Sequence, residues 1–411
     1  MAPRSILVLA ASLVLWAGSV AAQPARSDPP PAVWTAPPAE EEVYRSAAAT
    51  ALAYLQAHRS PKTGLVRATP GWGHITLWDI GSLIGAVYAA GELDLLTGPE
   101  RDEWMEDLLA TLGTMPLFDG GAYNRVYVAA DARMVDGRDR PSDVGSGWST
   151  TDLGRLLIWL KVIEARMPEH AASARAAAER IAYDRVVVDG YLRGADLQSS
   201  GVITYPEGRV GYEQYAALGF QLWGHTAARA LDARAHSKPV DVMGHTLLHD
   251  TRGGDKLTSE PFILMGMELG YEAPFDELSQ AMLAVQEARY RQTGRVTIVS
   301  EDAIEVAPWY FYYYSVYSEG EAFAVRAHGP VTNGPRWVSA KAAFAWHALY
   351  PSAYTWKAVE TVQPARGRAG WSSGVFEGGH RSTGVRNLNT AAVILEAALY
   401  RKVGRPLLSG S

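Results

Sequence analysis

Carboxylates next to aromatic residues recur where apolar segments begin. Asp79 follows Trp78 in "TLWDIG", and Glu213 is flanked by Tyr212 and Tyr215 in "GYEQYAALG". Glycoside hydrolysis requires two carboxyl groups, one that protonates the leaving oxygen and one that activates water or attacks the sugar. We therefore predict Asp79 and Glu213 as a catalytic pair, without deciding which is the acid. Asp79 belongs to the least polar segment, where desolvation raises a carboxyl pKa.

Aromatic residues of a particular kind accompany these acids. The chain has 13 Trp and 20 Tyr but only 8 Phe, and Trp and Tyr combine a flat apolar face with a polar edge that suits a sugar ring. Asp152, Glu260 and Glu377 are second-line candidates that position water or bind sugar hydroxyls. Tyr312–Tyr314 and Trp346 are assigned to packing. The predicted substrate-binding set is Trp72, Trp78, Trp148, Asp152, Tyr212, Tyr215, Glu260, Trp309, Trp371 and Glu377.

Helix capping is the alternative explanation for each acid. Ser, Thr, Asp and Glu are favoured at helix starts, where they accept free N–H groups and face the positive end of the dipole. Asp79 lies three residues after Thr76, and Asp152 ends the run "STTD". Asp152 fits a capping role best of these acids.

The elements that position these residues are predicted to be helices in six pairs. In each pair an amphipathic segment precedes a more apolar one, and a helix that is apolar on all sides is buried. Six buried helices inside six half-exposed ones predict an all-α (α/α)6 toroid, with minor β-ribbons in loops such as 185–192 and 294–300. The predicted pairs are 40–58 with 76–96, 99–115 with 149–167, 169–185 with 211–231, 238–249 with 258–270, 275–292 with 308–323, and 336–350 with 387–404.

Toroid geometry brings the candidate acids together. Inner helices of a toroid run the same way, so their N-termini meet on one face. Glu301, Asp302 and Glu305 precede the fifth predicted inner helix, and Asn387 and Asn389 begin the sixth. We therefore expect several carboxylates in one funnel.

The first 40 residues are predicted to serve export. Residues 1–22 have a basic start, a short apolar run and small residues before Gln23, as in a cleaved secretory signal. Residues 23–40 are proline-rich and predict a linker, and residues 41–405 follow as one domain. A periplasmic or secreted protein without a membrane span in its mature chain is expected.

Composition excludes several functions. Charged residues make up 20% and hydrophobic residues 48% of the chain, which excludes global disorder. A net charge of −6 and the lack of a long basic run argue against nucleic acid. The absence of cysteine excludes disulfides, thiol catalysis and thiolate metal sites. His245 and His249 lie in "HTLLH", which lacks the glutamate of a zinc motif, so no metal and no cofactor are predicted.

Five segments together resemble a known family. They are "TLWDIGSLIGAVYAAGELDLL", "STTDLGRLLIWLKVI", "GYEQYAALGFQLWG", "SEPFILMGMELG" and "GWSSGVFEGG" with "NLNTAAVILEAALY". Over about residues 45–404 the chain resembles the bacterial domain-of-unknown-function family 3131, whose layout is similar to that of the glucoamylase-like (α/α)6 glycosidases, including those that act on bacterial β-glucans. The resemblance implies a toroid fold and a carbohydrate role in the cell envelope.

The sequence thus predicts an exported glycoside hydrolase whose partner is an oligosaccharide or polysaccharide of the bacterial envelope or exterior. Two alternatives stay open. A polysaccharide lyase on the same fold would use Tyr212, His380 and Arg386, and a non-catalytic polysaccharide-binding or assembly factor would use the aromatic platforms alone. Carboxyl groups that face each other across an open cleft favour hydrolysis.

Overall fold

Helices dominate the structure, a computed structural model that describes residues 34–308, 310–327 and 334–408. Tertiary contacts divide the chain into residues 1–35 and 36–411, and every element below belongs to the second unit. The predicted export signal and residues 23–33 of the predicted linker lie outside the described residues. The helices are α1 (Glu40–His58), α2 (Leu77–Glu92), α3 (Gly98–Thr114), α4 (Thr150–Arg166), α5 (Ala171–Glu179), α6 (Tyr183–Val186), α7 (Tyr212–Gln221), α8 (Ala228–Leu231), α9 (Glu260–Glu268), α10 (Phe275–Thr293), α11 (Ala340–Leu349), α12 (Ala353–Thr361) and α13 (Leu388–Val403).

Six of these helices form a closed ring. In the order α2, α4, α7, α9, α11 and α13, each contacts the next, and α13 contacts α2. Nearly every side chain of α2, α9 and α11 is buried, as expected for helices that are apolar on all sides. Each of the helices α1, α3, α5, α8, α10 and α12 packs against a helix of the ring, and α1 packs against both α13 and α2. The predominantly helical fold predicted from the sequence is confirmed.

Short antiparallel strands form small sheets in the segments between the helices. Strands β5, β7 and β8 share one sheet, and β11, β12 and β15 share another. The strands are β1 (His74–Thr76), β2 (Leu117–Phe118), β3 (Ala122–Tyr123), β4 (Val126–Val128), β5 (Gly147–Trp148), β6 (Val187–Val188), β7 (Tyr191–Gln198), β8 (Gly201–Pro206), β9 (Ser237–Val242), β10 (His245–Asp250), β11 (Glu301–Ala303), β12 (Phe311–Tyr314), β13 (Tyr317–Ser318), β14 (Glu321–Ala322), β15 (Val325–Arg326), β16 (Trp337–Ser339), β17 (Arg366–Gly367), β18 (Gly370–Trp371) and β19 (Gly374–Phe376).

Two predicted helices are wrong. Residues 238–249 form the hairpin β9–β10, whose turn residues Met243 and Gly244 both have positive φ, the geometry that suits a two-residue hairpin. The described residues 310–323 contain strands β12, β13 and β14 instead, and Glu319 and Gly320 make a similar turn between β13 and β14. Aromatic-rich segments with such turn residues favour strands over helices.

The last two helix pairs are also composed differently from the prediction. The segment 336–350 was predicted as an outer helix, but its helix α11 is the fifth member of the ring. The outer partner of α13 along the chain is α12, which the sequence did not reveal. The fourth outer helix, α8, has only one turn. The predicted ribbon at 185–192 contains β6 and the start of β7, whereas 294–300 contains no strand.

A buried ion network joins the ring helices at their centre. The Arg155 guanidinium lies 2.8 Å from a Glu268 carboxylate oxygen and 2.7 Å from one of Glu396, and all three side chains are fully buried. Arg155 Nε also donates to Ser82 Oγ at 2.7 Å, and Tyr215 donates to Glu268 at 2.6 Å. The network connects α2, α4, α7, α9 and α13. Within the described residues, no helix combines the length and apolarity that crossing a bilayer would take.

Candidate active site

A cleft of about 900 Å³ opens at the N-terminal ends of the ring helices. The first turns of α2, α4, α7, α11 and α13 each contribute to its wall, and β11 and β12 complete it. This is the convergence that the toroid geometry predicts. The cleft-lining residues are Ala68, Thr69, Trp72, Thr76, Trp78, Asp79, Thr151, Asp152, Glu207, Gly208, Arg209, Tyr212, Gly254, Lys256, Glu301, Asp302, Ala303, Tyr310, Phe311, Tyr313, Lys341, Asn387 and Asn389.

One part of the wall is organised around a lysine. Lys341 Nζ forms an ion pair with Glu260, lies 3.8 Å from Asp302 Oδ1 and donates to Asn389 Oδ1 at 2.7 Å. Glu260 is fully buried beneath the cleft and also accepts a hydrogen bond from Asn389 at 2.9 Å. We call Glu260, Glu301, Asp302 and Lys341 the lysine group.

Burial raises the pKa of two carboxyl groups in the lysine group. It raises the pKa of Glu301 to about 8, and the neighbouring Glu260 carboxylate adds to this rise. Burial also raises the pKa of Asp302 to about 6, although Lys341 and the Trp337 indole oppose the shift. The pKa of Lys341 lies above its ordinary value, because Glu260, Asp302 and Glu301 outweigh its burial. Glu301 is therefore a carboxyl group that holds its proton at neutral pH.

A second part of the wall binds its carboxylates through hydroxyl groups and main-chain N–H groups. Thr76 donates to Asp79 Oδ2 at 2.8 Å, while the Asp79 amide donates back to Thr76 Oγ1 at 3.0 Å. Ser149 Oγ donates to Asp152 Oδ1 at 2.9 Å. Thr150 Oγ1 donates to Glu207 at 2.9 Å, and the Thr150 amide also donates to it. We call Asp79, Asp152 and Glu207 the hydroxyl-bound carboxylates.

These carboxyl groups also titrate above their ordinary range. Burial raises the pKa of Asp79 to about 6, although the Thr76 hydrogen bond and the charge of Lys341 lower it. Burial and the nearby Glu207 raise the pKa of Asp152 to about 7. Burial likewise raises the pKa of Glu207. Asp79 is thus partly a capping residue and partly a cleft carboxylate that is ionised at neutral pH.

Aromatic side chains form much of the remaining surface. Trp78 donates to Glu260 at 3.3 Å, and its ring centroid lies 5.8 Å from that of Tyr212. Trp72 donates to both carboxylate oxygens of Asp139, at 2.9 and 3.0 Å. Tyr310 is 52% exposed at the rim. These flat surfaces beside carboxyl groups suit the faces and hydroxyl edges of sugars.

Of the predicted catalytic pair, the structure places Asp79 in the cleft and Glu213 outside it. Glu213 is 2% exposed, and its carboxylate receives Nη1 of Arg252 at 3.2 Å as well as Nη2. Arg252 also binds Asp250. A buried carboxylate that is paired with a half-buried arginine in this way is typical of a structural ion pair.

The predicted substrate-binding residues divide similarly. Trp72, Trp78, Asp152 and Tyr212 line the cleft, whereas Glu260 lies just beneath it. Trp148, Tyr215 and Trp371 are fully buried and donate to Arg193 O, Glu268 and Ala47 O, so they belong to the core. Glu377 pairs with Arg289 at 2.9 Å and does not line the cleft. Trp309 lies outside the described residues.

Several cleft residues were not predicted from the sequence, among them Glu207, Tyr313, Glu301 and Lys341. Glu207 follows β8 in a turn that has no periodic pattern, and Tyr313 was assigned to packing in a predicted helix. Glu301 was noted only as preceding the fifth helix. Lys341 carried a usable signal, because a cation in the first turn of an apolar helix opposes the helix dipole.

A cluster of side chains that could ligate a metal ion lies outside the cleft. Asp102, Glu169 and His170 bring their ligand atoms within 4.8 Å of one another. The Arg101 guanidinium lies 2.8 Å from Asp102 and 3.8 Å from Glu169, so a cation already neutralises these carboxylates.

Comparison with known proteins places the fold. The family model described as "Protein of unknown function (DUF3131)" matches residues 46–404. No curated protein matches the sequence. A putative glucoamylase from Bacteroides caccae has a TM-score of 0.65 at 14% identity, with 89% of this chain and 94% of that chain covered.

Two glucanase structures are similar to a comparable degree. The β-1,2-glucanase from Parabacteroides distasonis gives a TM-score of 0.62 at 14% identity, over 90% of this chain and 58% of that chain. The endo-β-1,2-glucanase from Chitinophaga pinensis, in complex with sophorotriose and glucose, gives 0.60 at 12% identity, over 90% and 95%. At these identities the likeness shows the glucoamylase-like toroid fold alone.

Proposed function

The chain belongs to the DUF3131 family, and from the chemistry of its cleft we propose that it is a glycoside hydrolase on a six-hairpin (α/α)6 toroid. The observation that carries the proposal is the convergence of five carboxyl groups and several aromatic rings in one cleft. Two of those carboxyl groups titrate on opposite sides of neutral pH.

The separated pKa values assign the two roles. Glu301, with a pKa of about 8, is mostly protonated at pH 7 and donates its proton to the glycosidic oxygen. Asp79, with a pKa of about 6, is mostly ionised and activates water or attacks the anomeric carbon. Environments that drive two carboxyl pKa values apart are the usual basis of such a division.

Neighbouring charges support this assignment. Glu260 is ion-paired with Lys341 and fully buried, so it acts on the reaction only through its charge. The Glu260 charge raises the pKa of Glu301 more than Lys341 lowers it. At Asp79 the order is reversed, and Lys341 lowers the pKa more than Glu260 raises it. Asp152 and Glu207 are placed to bind sugar hydroxyls or water.

The substrate we propose is a glucan of the bacterial envelope or exterior. The solved structures that share the fold include proteins named β-1,2-glucanases and one bound to sophorotriose, so β-1,2-glucan heads the list of polymers to test. Export of the protein through residues 1–22 is part of the same proposal.

Product analysis tests the function directly. The purified chain from Gln23 is incubated with β-1,2-glucan, β-1,3-glucan, starch and uronic-acid polymers. Release of reducing ends without ultraviolet absorbance, abolished in Asp79→Asn, is the expected result. Unsaturated sugar ends would identify a lyase instead, and binding without any product would leave a polysaccharide-binding factor.

A further inference from the structure

One side of the cleft presents two cations, Arg209 and Lys256. Arg209 follows Glu207 and Gly208, Lys256 follows Gly254 and Asp255, and both cationic residues line the cleft. Neither forms an ion pair with a carboxylate in the described ranges of the chain. Each is half-buried, and withdrawing charge from water without a partner is costly.

The loops hold these two cations in place. Arg209 donates through Nε to Gly253 O and through Nη1 to Gly208 O, which joins the two loops and leaves Nη2 free for a ligand. Lys256 Nζ lies 3.9 Å from the centroid of the Tyr313 ring. Burial lowers the pKa of Lys256, and the charge of Arg209 adds to this effect, although Glu301 and Glu319 oppose it.

The carboxyl groups that act on these cations are protonated or have other partners. Glu301, which attracts Lys256, is mostly protonated at pH 7. Glu319, which also attracts Lys256, pairs with Arg326 at 2.7 Å. Asp255 lies near Arg209 and accepts a hydrogen bond from the Asp250 amide. The positive charge of Arg209 and Lys256 is therefore available to whatever enters the cleft.

From this arrangement we propose that the Arg209–Lys256 corner binds an anionic group on the glycan, so that the substrate is a charged saccharide. The inference rests on the proposed function, because the corner belongs to the same cleft as Asp79 and Glu301. A carboxylate, phosphate or sulfate on the sugar would receive hydrogen bonds from both cations, which are about twice as strong as neutral ones. The carboxylates on the rest of the wall repel such a group and so direct it to this corner.

A binding comparison tests the proposal without turnover. In an Asp79→Asn background, two probes are titrated by calorimetry: a β-1,2-linked glucose hexamer and the same hexamer with its C6 hydroxyls oxidised to carboxylates. The oxidised hexamer is expected to bind at least about tenfold more tightly. The preference should shrink as salt is added.

Charge variants locate the effect. Lys256→Met keeps an aliphatic chain against Tyr313 and should abolish most of the preference, whereas Lys238→Met removes an exposed charge on β9 and should preserve it. Arg209→Gln serves as the second variant if Lys256→Met unfolds. A neutral hexamer that binds as well as the oxidised one, an undiminished preference in Lys256→Met, or no binding of the oxidised hexamer at millimolar concentration would overturn the inference.

The outcomes separate this inference from the proposed function. Hydrolysis of neutral glucans without any preference for charge would leave the hydrolase intact and remove the anionic corner. Binding of the oxidised hexamer that depends on Lys256, without hydrolysis of any polymer, would retain the corner and remove the hydrolase.

Discussion

The lysine group and the hydroxyl-bound carboxylates hold acidic side chains in the same cleft by different means. In the lysine group a buried ammonium pairs with Glu260 and lies 3.8 Å from Asp302. The hydroxyl-bound carboxylates, in contrast, accept hydrogen bonds from Thr and Ser hydroxyls and from main-chain N–H groups. They are Asp79, Asp152 and Glu207.

This difference in hydrogen-bond and ion-pair partners explains which carboxyl group of the cleft is protonated. Lys341 pairs with Glu260 and lies near Asp302, and Glu301 is left as the member of the lysine group that binds a proton tightly. Hydroxyl groups carry no net charge, so they orient Asp79 and only partly offset the effect of its burial. An ion pair therefore fixes the charge of a carboxylate, whereas a hydroxyl fixes mainly its direction.

Removing the proton donor should have the largest effect. Glu301→Gln keeps the shape of the side chain but supplies no transferable proton, so kcat should fall by about 10²–10⁴-fold. Steady-state kinetics on the substrate found in the polymer test measures this. Unchanged kcat in a folded Glu301→Gln variant would place the acid elsewhere.

Breaking the lysine pair should be the largest effect on stability. Lys341→Met leaves Glu260 charged and buried, and such an uncompensated charge costs about 3–5 kcal/mol of the free energy of unfolding. The double variant Glu260→Gln/Lys341→Met should recover part of this loss, because the charge is then gone. Denaturant unfolding of both variants measures the difference, and equal losses would argue against the pair.

The carboxyl groups of Asp79 and Glu301 should also define the pH range of activity. Asp79 acts as the ionised form, so kcat/KM should fall as the pH drops below about 6. Glu301 acts as the protonated form, so kcat/KM should fall as the pH rises above about 8. A pH–rate profile tests both limbs. Activity that continues to rise well above pH 8 would contradict the role of Glu301.

The smallest effect is expected at the rim. Asp139 receives the Trp72 indole N–H at 2.9 Å and fixes the ring beside the cleft. Asp139→Asn retains one acceptor oxygen and should raise KM by only about two- to fivefold, because one exposed hydrogen bond contributes little. Its kcat should be unchanged, and a large drop in kcat would mean that Asp139 takes part in the reaction.

The sequence revealed the inner helices better than the outer ones. Apolar runs such as α2 and α4 were recognisable because burial on all sides leaves few polar residues. The one-turn helix α8 and the hairpin β9–β10 replace a predicted outer helix, because the positive φ of Met243 and Gly244 forms a turn that helical periodicity does not reveal.

The site was predictable where helix starts determine it. Asp79 and Asp152 follow Thr76 and Ser149 at capping spacing, so their place at the mouth of the ring could be inferred. Glu207 could not be predicted in the same way, because it comes from a turn after β8. Glu213 resembles Asp79 in sequence, but its partner Arg252 lies 39 residues away in the chain, and periodicity does not reveal so distant a contact.

The most direct test of the account compares Asp79→Asn with Glu213→Gln in one assay. Both predicted acids are neutralised at constant shape, and both kcat and thermal unfolding are measured. We predict that Asp79→Asn folds normally and loses about 10²–10⁴-fold in kcat, whereas Glu213→Gln keeps its kcat and unfolds more easily because its pair with Arg252 is weakened. Normal turnover in Asp79→Asn, with turnover lost in a stable Glu213→Gln, would contradict the account.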